Sequence, residues 1–160
     1  MTDRGYEIRI AEAADADAVR ALTRAAYAKW VPLVGREPKP MTADCDAAIR
    51  DHRIDLLFQD GELAALIETI REPDHLLIEN VAVDPAFQRR GLGRALVAHA
   101  EELAAELGYD EVRLYTNRLF DGNVRLYSAL GYRIDREEPI TGGVRVDMSK
   151  PIQPGGGVSL

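Results

Sequence analysis

The stretch of sequence that decides the fold runs Val81-Ala-Val-Asp-Pro-Ala-Phe-Gln88-Arg89-Arg90-Gly91-Leu92-Gly93-Arg94-Ala95. It joins an apolar strand to an amphipathic helix through a short loop that contains two glycines. The first amides of a helix have no partner within the helix, and the helix dipole places partial positive charge at the same end. Because glycine also lets the backbone approach a ligand closely, this loop is suited to binding a pyrophosphate. Arg89, Arg90 and Arg94 add positive charge around it.

Two known phosphate-binding loops do not fit this stretch. The P-loop requires Gly-x-x-x-x-Gly-Lys-Ser/Thr, a string that the sequence does not contain. The dinucleotide-binding fingerprint Gly-x-Gly-x-x-Gly requires a glycine or alanine where this chain has Leu96, and an acidic residue where it has Tyr115-Thr116-Asn117. On these residues alone, a plain strand-to-helix turn remains the alternative.

Hydrophobic periodicity predicts the elements on either side of this loop. Strands are predicted over residues 6–10, 54–59, 62–70, 75–83, 111–115, 132–136 and 144–148. Helices are predicted from a cap at Asp15 to about Lys29, and over residues 44–52, 94–107 and 121–130. The apolar run 75–83 predicts a central strand that is buried on both faces. The order predicts a mixed α/β fold, with one central twisted sheet of about six or seven strands and about four helices on both faces.

Two segments lack such periodicity. Residues 30–41 hold three prolines within nine residues, and because proline lacks an amide hydrogen and fixes φ, we predict an ordered loop there. Residues 151–160 include Gly155-Gly156-Gly157, which is typical of a flexible C-terminal tail. At about 150 residues per domain, we expect a single domain over residues 1–150 followed by this tail.

Charge and composition exclude several classes of protein. The chain has 20 basic and 27 acidic residues, a net charge of −7, so no nucleic-acid partner is expected, a charged tRNA included. The single cysteine, Cys45, excludes an internal disulfide, and His52, His75 and His99 lack metal-ligand spacing, so no metal is expected. No signal peptide is visible, and no apolar stretch approaches the ~20 residues that cross a bilayer. We expect a cytoplasmic protein without membrane contact, as a monomer or homodimer.

Two motifs in register resemble the GNAT superfamily of N-acetyltransferases. Gln88-x-x-Gly91-x-Gly93 after a strand that ends Val-Ala-Val resembles the acetyl-CoA loop of that superfamily. The string Asn123-Val-Arg-Leu-Tyr127-Ser-Ala-Leu-Gly131-Tyr132 resembles its second signature, Asn-x-x-x-Tyr-x-x-x-Gly-Phe/Tyr. The order of predicted elements is also that of a GNAT domain.

The resemblance implies acetyl-CoA as acyl donor and assigns its contacts. By that match the backbone of Val81, Ala82 and Val83 pairs with the pantetheine arm. The amides of the loop cradle the pyrophosphate, namely those of Arg89, Arg90, Gly91, Leu92, Gly93 and Arg94. Asn123 is implied to lie near the cofactor.

Two residues are implied to act in the reaction. Tyr127 is placed beside the thioester sulfur, where a phenol can hydrogen-bond or protonate the leaving thiolate. The alternative for Tyr127 is a core tyrosine whose hydroxyl is satisfied elsewhere. Glu79, immediately before the cofactor-pairing residues, is the candidate base that accepts the proton of the acceptor ammonium. Its alternatives are a substrate-orienting group or a carboxylate on a wetted strand end.

The acceptor site is implied to follow the first helix, which makes Trp30, Arg36 and Glu37 candidates for substrate recognition. Arg36 suits a carboxylate or phosphate, and Glu37 suits an ammonium. Glu68, on the hairpin strand, is a further candidate for the same cleft. We expect an N-acetyltransferase that acts by direct transfer on a primary amine, of a small metabolite. The alternatives are a non-catalytic acetyl-CoA sensor, or acetylation of a protein N-terminus or lysine.

Overall fold

The computed structural model describes residues 5–120 and 122–154. Its elements are, in chain order, strand β1 (Tyr6–Ile10), helices α1 (Ala16–Tyr27), α2 (Val31–Val34), α3 (Lys39–Thr42) and α4 (Cys45–Asp51), strands β2 (Arg53–Gln59), β3 (Glu62–Arg71) and β4 (Leu76–Val83), helix α5 (Leu92–Glu106), strand β5 (Glu111–Asn117), helix α6 (Asn123–Ala129), and strands β6 (Arg133–Ile140) and β7 (Gly143–Pro151). The seven strands form one sheet in the order β1-β2-β3-β4-β5-β7-β6. The pair β4–β5 is parallel and the other five pairs are antiparallel. The predicted mixed sheet is confirmed.

Helices cover both faces of this sheet. On one face, α5 buries Leu92, Leu96 and Leu103 against the central strands, as their spacing predicts. On the other face, α1 and the start of α4 pack Leu22 and Cys45 against β2, β3 and β4. The site described below therefore lies within a sheet that is held rigidly from both sides.

The segment 30–41 is not the loop that its prolines predict, because it contains α2 and α3. Pro32 and Pro40 occupy the first turn of these two short helices. A first-turn amide has no partner within the helix, so proline costs no hydrogen bond there. The prolines thus mark helix starts, and α3 brings Lys39 and Pro40 to the wall of the candidate site.

Asp15 directly precedes α1 as predicted, but its carboxylate does not cap that helix. It accepts hydrogen bonds from Arg9 at 2.9 and 3.0 Å and from the amide of Glu12 at 2.7 Å. These hydrogen bonds lower the pKa of Asp15 to about 2. Asp15 therefore ties β1 to the turn that follows it.

The predicted tail begins inside the sheet. Pro151 is the last residue of β7, and the amide of Ile152 donates to the carbonyl of Asp110 at 3.0 Å. The glycines predicted to make the tail flexible, and Asp121 at the predicted start of a helix, lie outside the described residues. Within the described ranges, no helix combines the length and apolar character needed to cross a bilayer.

A β-bulge in β4 sets the direction of the side chains at the site. Asn80 pairs with Glu68 and Ile78 pairs with Thr69, which leaves Glu79 as an extra residue. An extra residue switches the faces to which the following side chains point. Accordingly Ile78 lies in the core under α5, whereas Ala82 lies in the core under α1. The predicted central strand is confirmed: β4 is the fourth of seven strands and contributes to the cores on both faces, although half-buried residues alternate with buried ones along it.

The parallel pair β4–β5 diverges at this bulge. The two strands pair only where Leu76, Leu77 and Ile78 face Val112, Arg113 and Leu114. Both strands continue, β4 to Val83 and β5 to Asn117, without pairing to each other. The edge of β4 beyond Glu79 that faces β5 therefore has backbone groups available for an extended ligand.

Asp55 is a buried carboxylate in β2, and it makes the stability of the fold depend on pH. Its side chain is 2% exposed, it accepts from Arg53 Nε at 3.0 Å, and His99 Nε2 of α5 lies 3.6 Å away. Burial opposes ionisation, but the neighbouring His99 and Arg53 outweigh it and hold the pKa of Asp55 below its ordinary value. The resulting stabilisation is complete above the unfolded-state pKa of about 3.9 and is lost as pH falls through the folded-state value.

Replacing Asp55 by Asn should lower the free energy of unfolding by about 1–3 kcal/mol at pH 7, the usual cost of weakening hydrogen bonds to a charged group, because Arg53 is 36% exposed and stays solvated. The deficit should be smaller at pH 3, because below the unfolded-state pKa the unfolded wild-type chain binds this proton more readily than the folded chain does. Urea unfolding at both pH values measures this. Asp135→Asn is the matched control, because Asp135 accepts from Arg133 Nε at the same 3.0 Å but is 38% exposed. It should cost less than about 1 kcal/mol, and equal losses for both variants contradict the argument.

Candidate active site

A cavity of about 580 Å³ opens where β4 and β5 diverge. Its walls come from α1, the segment with α2 and α3, the two diverging strands, the start of α6 and the β6–β7 turn. Six residues predicted from sequence line it: Arg36, Glu37, Glu79, Val81, Asn123 and Tyr127. The fold therefore brings the two predicted catalytic residues into one cavity.

Glu79 enters this cavity from the bulge, with a side chain 21% exposed. Tyr115 Oη donates to Glu79 Oε2 at 3.0 Å, and Lys39 Nζ lies 3.9 Å from the same oxygen. Burial and the adjacent Glu79 carboxylate raise the pKa of Tyr115 above its ordinary value, so its phenol stays a donor. Among the described residues, Glu79 Oε1 has no hydrogen-bond partner. The carboxylate is thus anchored through one oxygen and can act through the other.

Tyr127 is 8% exposed, and its ring packs in the core with the edge-to-face partner Tyr132 at 6.1 Å between centroids. Burial raises the pKa of Tyr127 to about 12. Its hydroxyl has no hydrogen-bond partner within residues 5–120 and 122–154. Because Tyr127 lines the cavity, its hydroxyl can donate to a group bound there.

Asn123 lies one turn before Tyr127 on α6 and lines the same cavity. Asn123 Nδ2 donates to the buried Thr116 Oγ1 at 3.2 Å. This contact fixes the start of α6 against β5 and orients the face that carries Tyr127.

The loop after β4 forms a candidate phosphate site at the start of α5. Gly91 caps the helix at φ +78°, in the left-handed region. Ala95 N donates to Gly91 O, and the amides of the three residues between them, Leu92, Gly93 and Arg94, precede that bond and have no partner within the helix. Three arginines predicted to add charge are exposed around these amides: Arg89, Arg90 and Arg94. Free amides, a helix dipole and guanidinium groups together suit an anion.

Gly93 leaves space beside its backbone, near Val83. A Cβ atom at this position would lie 3.8 Å from Val83 Cγ2, an ordinary van der Waals contact. The chain itself therefore has room for a small side chain at position 93. A larger side chain at position 93 would occupy space that a ligand against this backbone needs.

The predicted acceptor residues are only partly in place. Trp30 does not line the cavity but stacks on Phe120, which does, at 5.1 Å between centroids. Glu37 lines it, but Arg24 donates to Glu37 at 2.6 Å and holds the pKa of that carboxyl below its ordinary value. Arg36 Nη2 donates to Thr141 O at 3.4 Å. Glu37 is therefore a weaker candidate for an ammonium than the sequence suggests.

Glu68 lies elsewhere. It lines a second cavity of about 280 Å³ beside α1 and α4. This second cavity shares four residues with the first: Lys39, Pro40, Glu79 and Asn80. Glu68 does not line the first cavity but pairs with Asn80, which borders both cavities. Its place in the acceptor site stays a prediction.

Sequence reasoning missed several residues of the first cavity. Tyr27 Oη donates to Asn80 Oδ1 at 2.6 Å, and the Arg145 guanidinium lies over the Tyr115 ring at 4.1 Å from its centroid. Leu114 pairs with Ile78, so the next residues along the two parallel strands, Tyr115 and Glu79, lie close together. The register of this pair is the signal that could have identified Tyr115. Tyr27 and Asn80 are far apart in sequence, and no local pattern connects them.

The chain is similar in sequence to known acetyltransferases. The sequence profile of the acetyltransferase (GNAT) family matches residues 17–132. The chain is 36% identical over 76 residues to the [ribosomal protein bS18]-alanine N-acetyltransferase of Escherichia coli K12, covering 48% of this chain and 51% of that protein. It is 34% identical over 74 residues to the uncharacterized N-acetyltransferase YvbK of Bacillus subtilis, covering 46% and 48%. The chain spans about half the length of these curated relatives.

Solved structures extend the likeness over the whole fold. The crystal structure of the ribosomal-protein-S18-alanine N-acetyltransferase from Escherichia coli superposes with a TM-score of 0.74 at 25% identity, covering 97% of this chain and 99% of that chain. PaiA N-acetyltransferase from Thermoplasma acidophilum, solved in complex with coenzyme A, gives 0.72 at 18% identity, covering 94% and 99%.

Proposed function

The chain belongs to the acetyltransferase (GNAT) family, and from this premise we propose that it transfers the acetyl group of acetyl-CoA to a primary amine by direct attack in a ternary complex. One observation carries the proposal. The hydroxyl of Tyr127, which lacks a partner among the described residues, shares a cavity with the half-buried carboxylate of Glu79. A hydrogen-bond donor on α6 and a base on β4 that face one cavity suit acyl transfer to an amine.

The diverging strands give acetyl-CoA a path. The amides of Leu92, Gly93 and Arg94 bind the pyrophosphate, with Arg89, Arg90 and Arg94 balancing its charge. The backbone of Val81, Ala82 and Val83, unpaired toward β5, binds the pantetheine arm. The thioester then lies near Asn123 and Tyr127. Support for this path comes from the gap in the β4–β5 ladder and from the Gly93 backbone beside Val83.

Each catalytic residue has one task. Glu79 accepts the proton of the ammonium and so frees the lone pair for attack. Tyr127 donates a hydrogen bond to the leaving thiolate. Its pKa of about 12 exceeds the ~8.5 of a thiol, so full proton transfer to sulfur is uphill, and the phenol acts mainly by stabilising the charge. No acetyl-cysteine forms, because Cys45 is buried and does not line the first cavity.

The acceptor class has two candidates. The sequence favours a small metabolite amine, whereas the similarity to a ribosomal-protein alanine N-acetyltransferase favours a protein N-terminus. Incubation with acetyl-CoA and three acceptor sets separates them: a library of small amines, a peptide that begins with alanine, and an N-blocked peptide with one lysine. Thiol release and mass spectrometry report transfer. If the protein binds acetyl-CoA but no acceptor set causes thiol release, the result favours a sensor and contradicts the proposal that the protein is an enzyme.

Acetyl-CoA should raise the melting temperature by linkage, and NADH should not. Gly93→Asp should abolish that shift, because it places a side chain and a negative charge against the pyrophosphate. Ala98→Asp is the matched control, since it adds the same charge to an exposed position of the same helix, and it should keep the shift. An unchanged shift in a folded Gly93→Asp protein contradicts the assignment of the loop.

A further inference from the structure

The second cavity contains a pair of groups that the proposed reaction does not use. His52, at the C-terminal end of α4, has Nδ1 2.6 Å from Glu68 Oε2 of β3. The Glu68 side chain is 12% exposed and the His52 side chain is 31% exposed, so the pair leads from the interior to solvent. Burial raises the pKa of Glu68 despite the adjacent imidazole, which makes the carboxylate a readier proton acceptor.

The wall between the two cavities is polar. Glu79 and Asn80 line both cavities. Asn80 is 8% exposed, and its Oδ1 accepts from Tyr27, but its Nδ2 has no partner in the part of the chain that the structure describes. A cavity of about 280 Å³ has room for several waters, which need polar partners of this kind. The other charged groups that line the second cavity are Lys39 of α3 and Asp44 and Asp51 beside and within α4.

The stoichiometry of the reaction requires a route for one proton. An ammonium acceptor loses two protons when its nitrogen becomes an amide. One proton ends on the coenzyme A thiol, and the other must reach bulk solvent in every turnover. When donor and acceptor fill the first cavity they cover Glu79 on that side, whereas the second cavity borders Glu79 on the other.

Resting on the proposed function, we propose that the Glu68–His52 pair is the exit route for this proton. Glu79 takes the proton from the ammonium and passes it through water in the second cavity to Glu68. His52 passes a proton to bulk solvent, and each group returns to its starting state. The pair acts through Glu79 and touches neither donor nor acceptor.

His52→Gln and Glu68→Gln remove the relay and keep polar side chains. The assay uses the amine that the wild type acetylates fastest among the three acceptor sets. Each variant should lower kcat about 10²-fold, which is the lower end of what a positioned proton acceptor contributes. The acceptor KM and the melting shift with acetyl-CoA should stay unchanged. His75→Gln is the matched control, because His75 Nδ1 lies 2.7 Å from Asp74 Oδ1 and His75 lines neither cavity. It should keep the wild-type kcat.

Chemical rescue separates a relay from a structural role. Imidazole should restore turnover of His52→Ala, and a series of substituted imidazoles should do so in order of basicity, as proton transfer requires. Wild-type kcat in both glutamine variants overturns the proposal, and so does a loss of kcat that comes with loss of the melting shift or that no imidazole restores. Failure of the proposed function is a different outcome, because the wild type would then release no thiol with any acceptor set.

Discussion

Replacing Tyr127 by Phe should lower kcat about 10²–10³-fold, the usual contribution of one hydrogen-bond donor aimed at developing charge, while acetyl-CoA still binds. Only the hydroxyl is lost, and that hydroxyl makes no hydrogen bond to any described residue. The protein should therefore keep its stability, whereas the leaving thiolate loses its donor. Single-turnover measurements at saturating acetyl-CoA isolate this chemical step from product release.

Tyr132→Phe is the control, and it should change stability but not kcat. Tyr132 packs edge-to-face on Tyr127, but its hydroxyl donates to Glu101 Oε2 at 2.9 Å and it does not line the cavity. Removing that hydroxyl leaves Glu101 without the bond and should lower stability by about 1 kcal/mol, with kcat near wild type. If Tyr127→Phe turns over at the wild-type rate when chemistry is limiting, Tyr127 is a core residue and the assignment is wrong.

The parts of the fold that follow local patterns were predictable. Asp60-Gly61 gives the β2–β3 hairpin, with positive φ at both residues as a type I′ turn requires. The spacing of Leu92, Leu96 and Leu103 gives the buried face of α5. In each case the signal lies within a few residues, where chain stereochemistry and helical period act directly.

The parts that depend on register between distant strands were not predictable. The bulge leaves Glu79 as an extra residue in β4, where it borders both cavities, whereas Glu68 borders only the second. The residues at the bulge, Glu79 and Asn80, contain no glycine or proline that would mark its position in the sequence. The anchoring of Glu79 by Tyr115 likewise depends on where β5 stops pairing with β4. Motifs located the candidate residues, and tertiary pairing assigned them to cavities.

Glu79→Gln should lower kcat/KM about 10²-fold or more near neutral pH, with a deficit that shrinks as pH rises. Glutamine keeps the shape and can still accept from Tyr115, but it cannot take a proton. At higher pH the acceptor amine deprotonates unaided, so the base becomes dispensable. Two acceptors with well-separated amine pKa values are needed, because the ionisation of the acceptor alone gives a similar acidic limb in the wild type.

The comparison between these two acceptors decides the role of Glu79. If Glu79 is the base, the pH at which the variant recovers should follow the amine pKa of each acceptor. Glu137→Gln, on the exposed edge strand β6 where Glu137 pairs with Arg118, removes the same charge away from both cavities and should leave both profiles unchanged. If Glu79→Gln instead raises only the acceptor KM, equally at every pH, Glu79 orients the amine. The proton then leaves by water in the first cavity, and the relay through Glu68 and His52 has no donor.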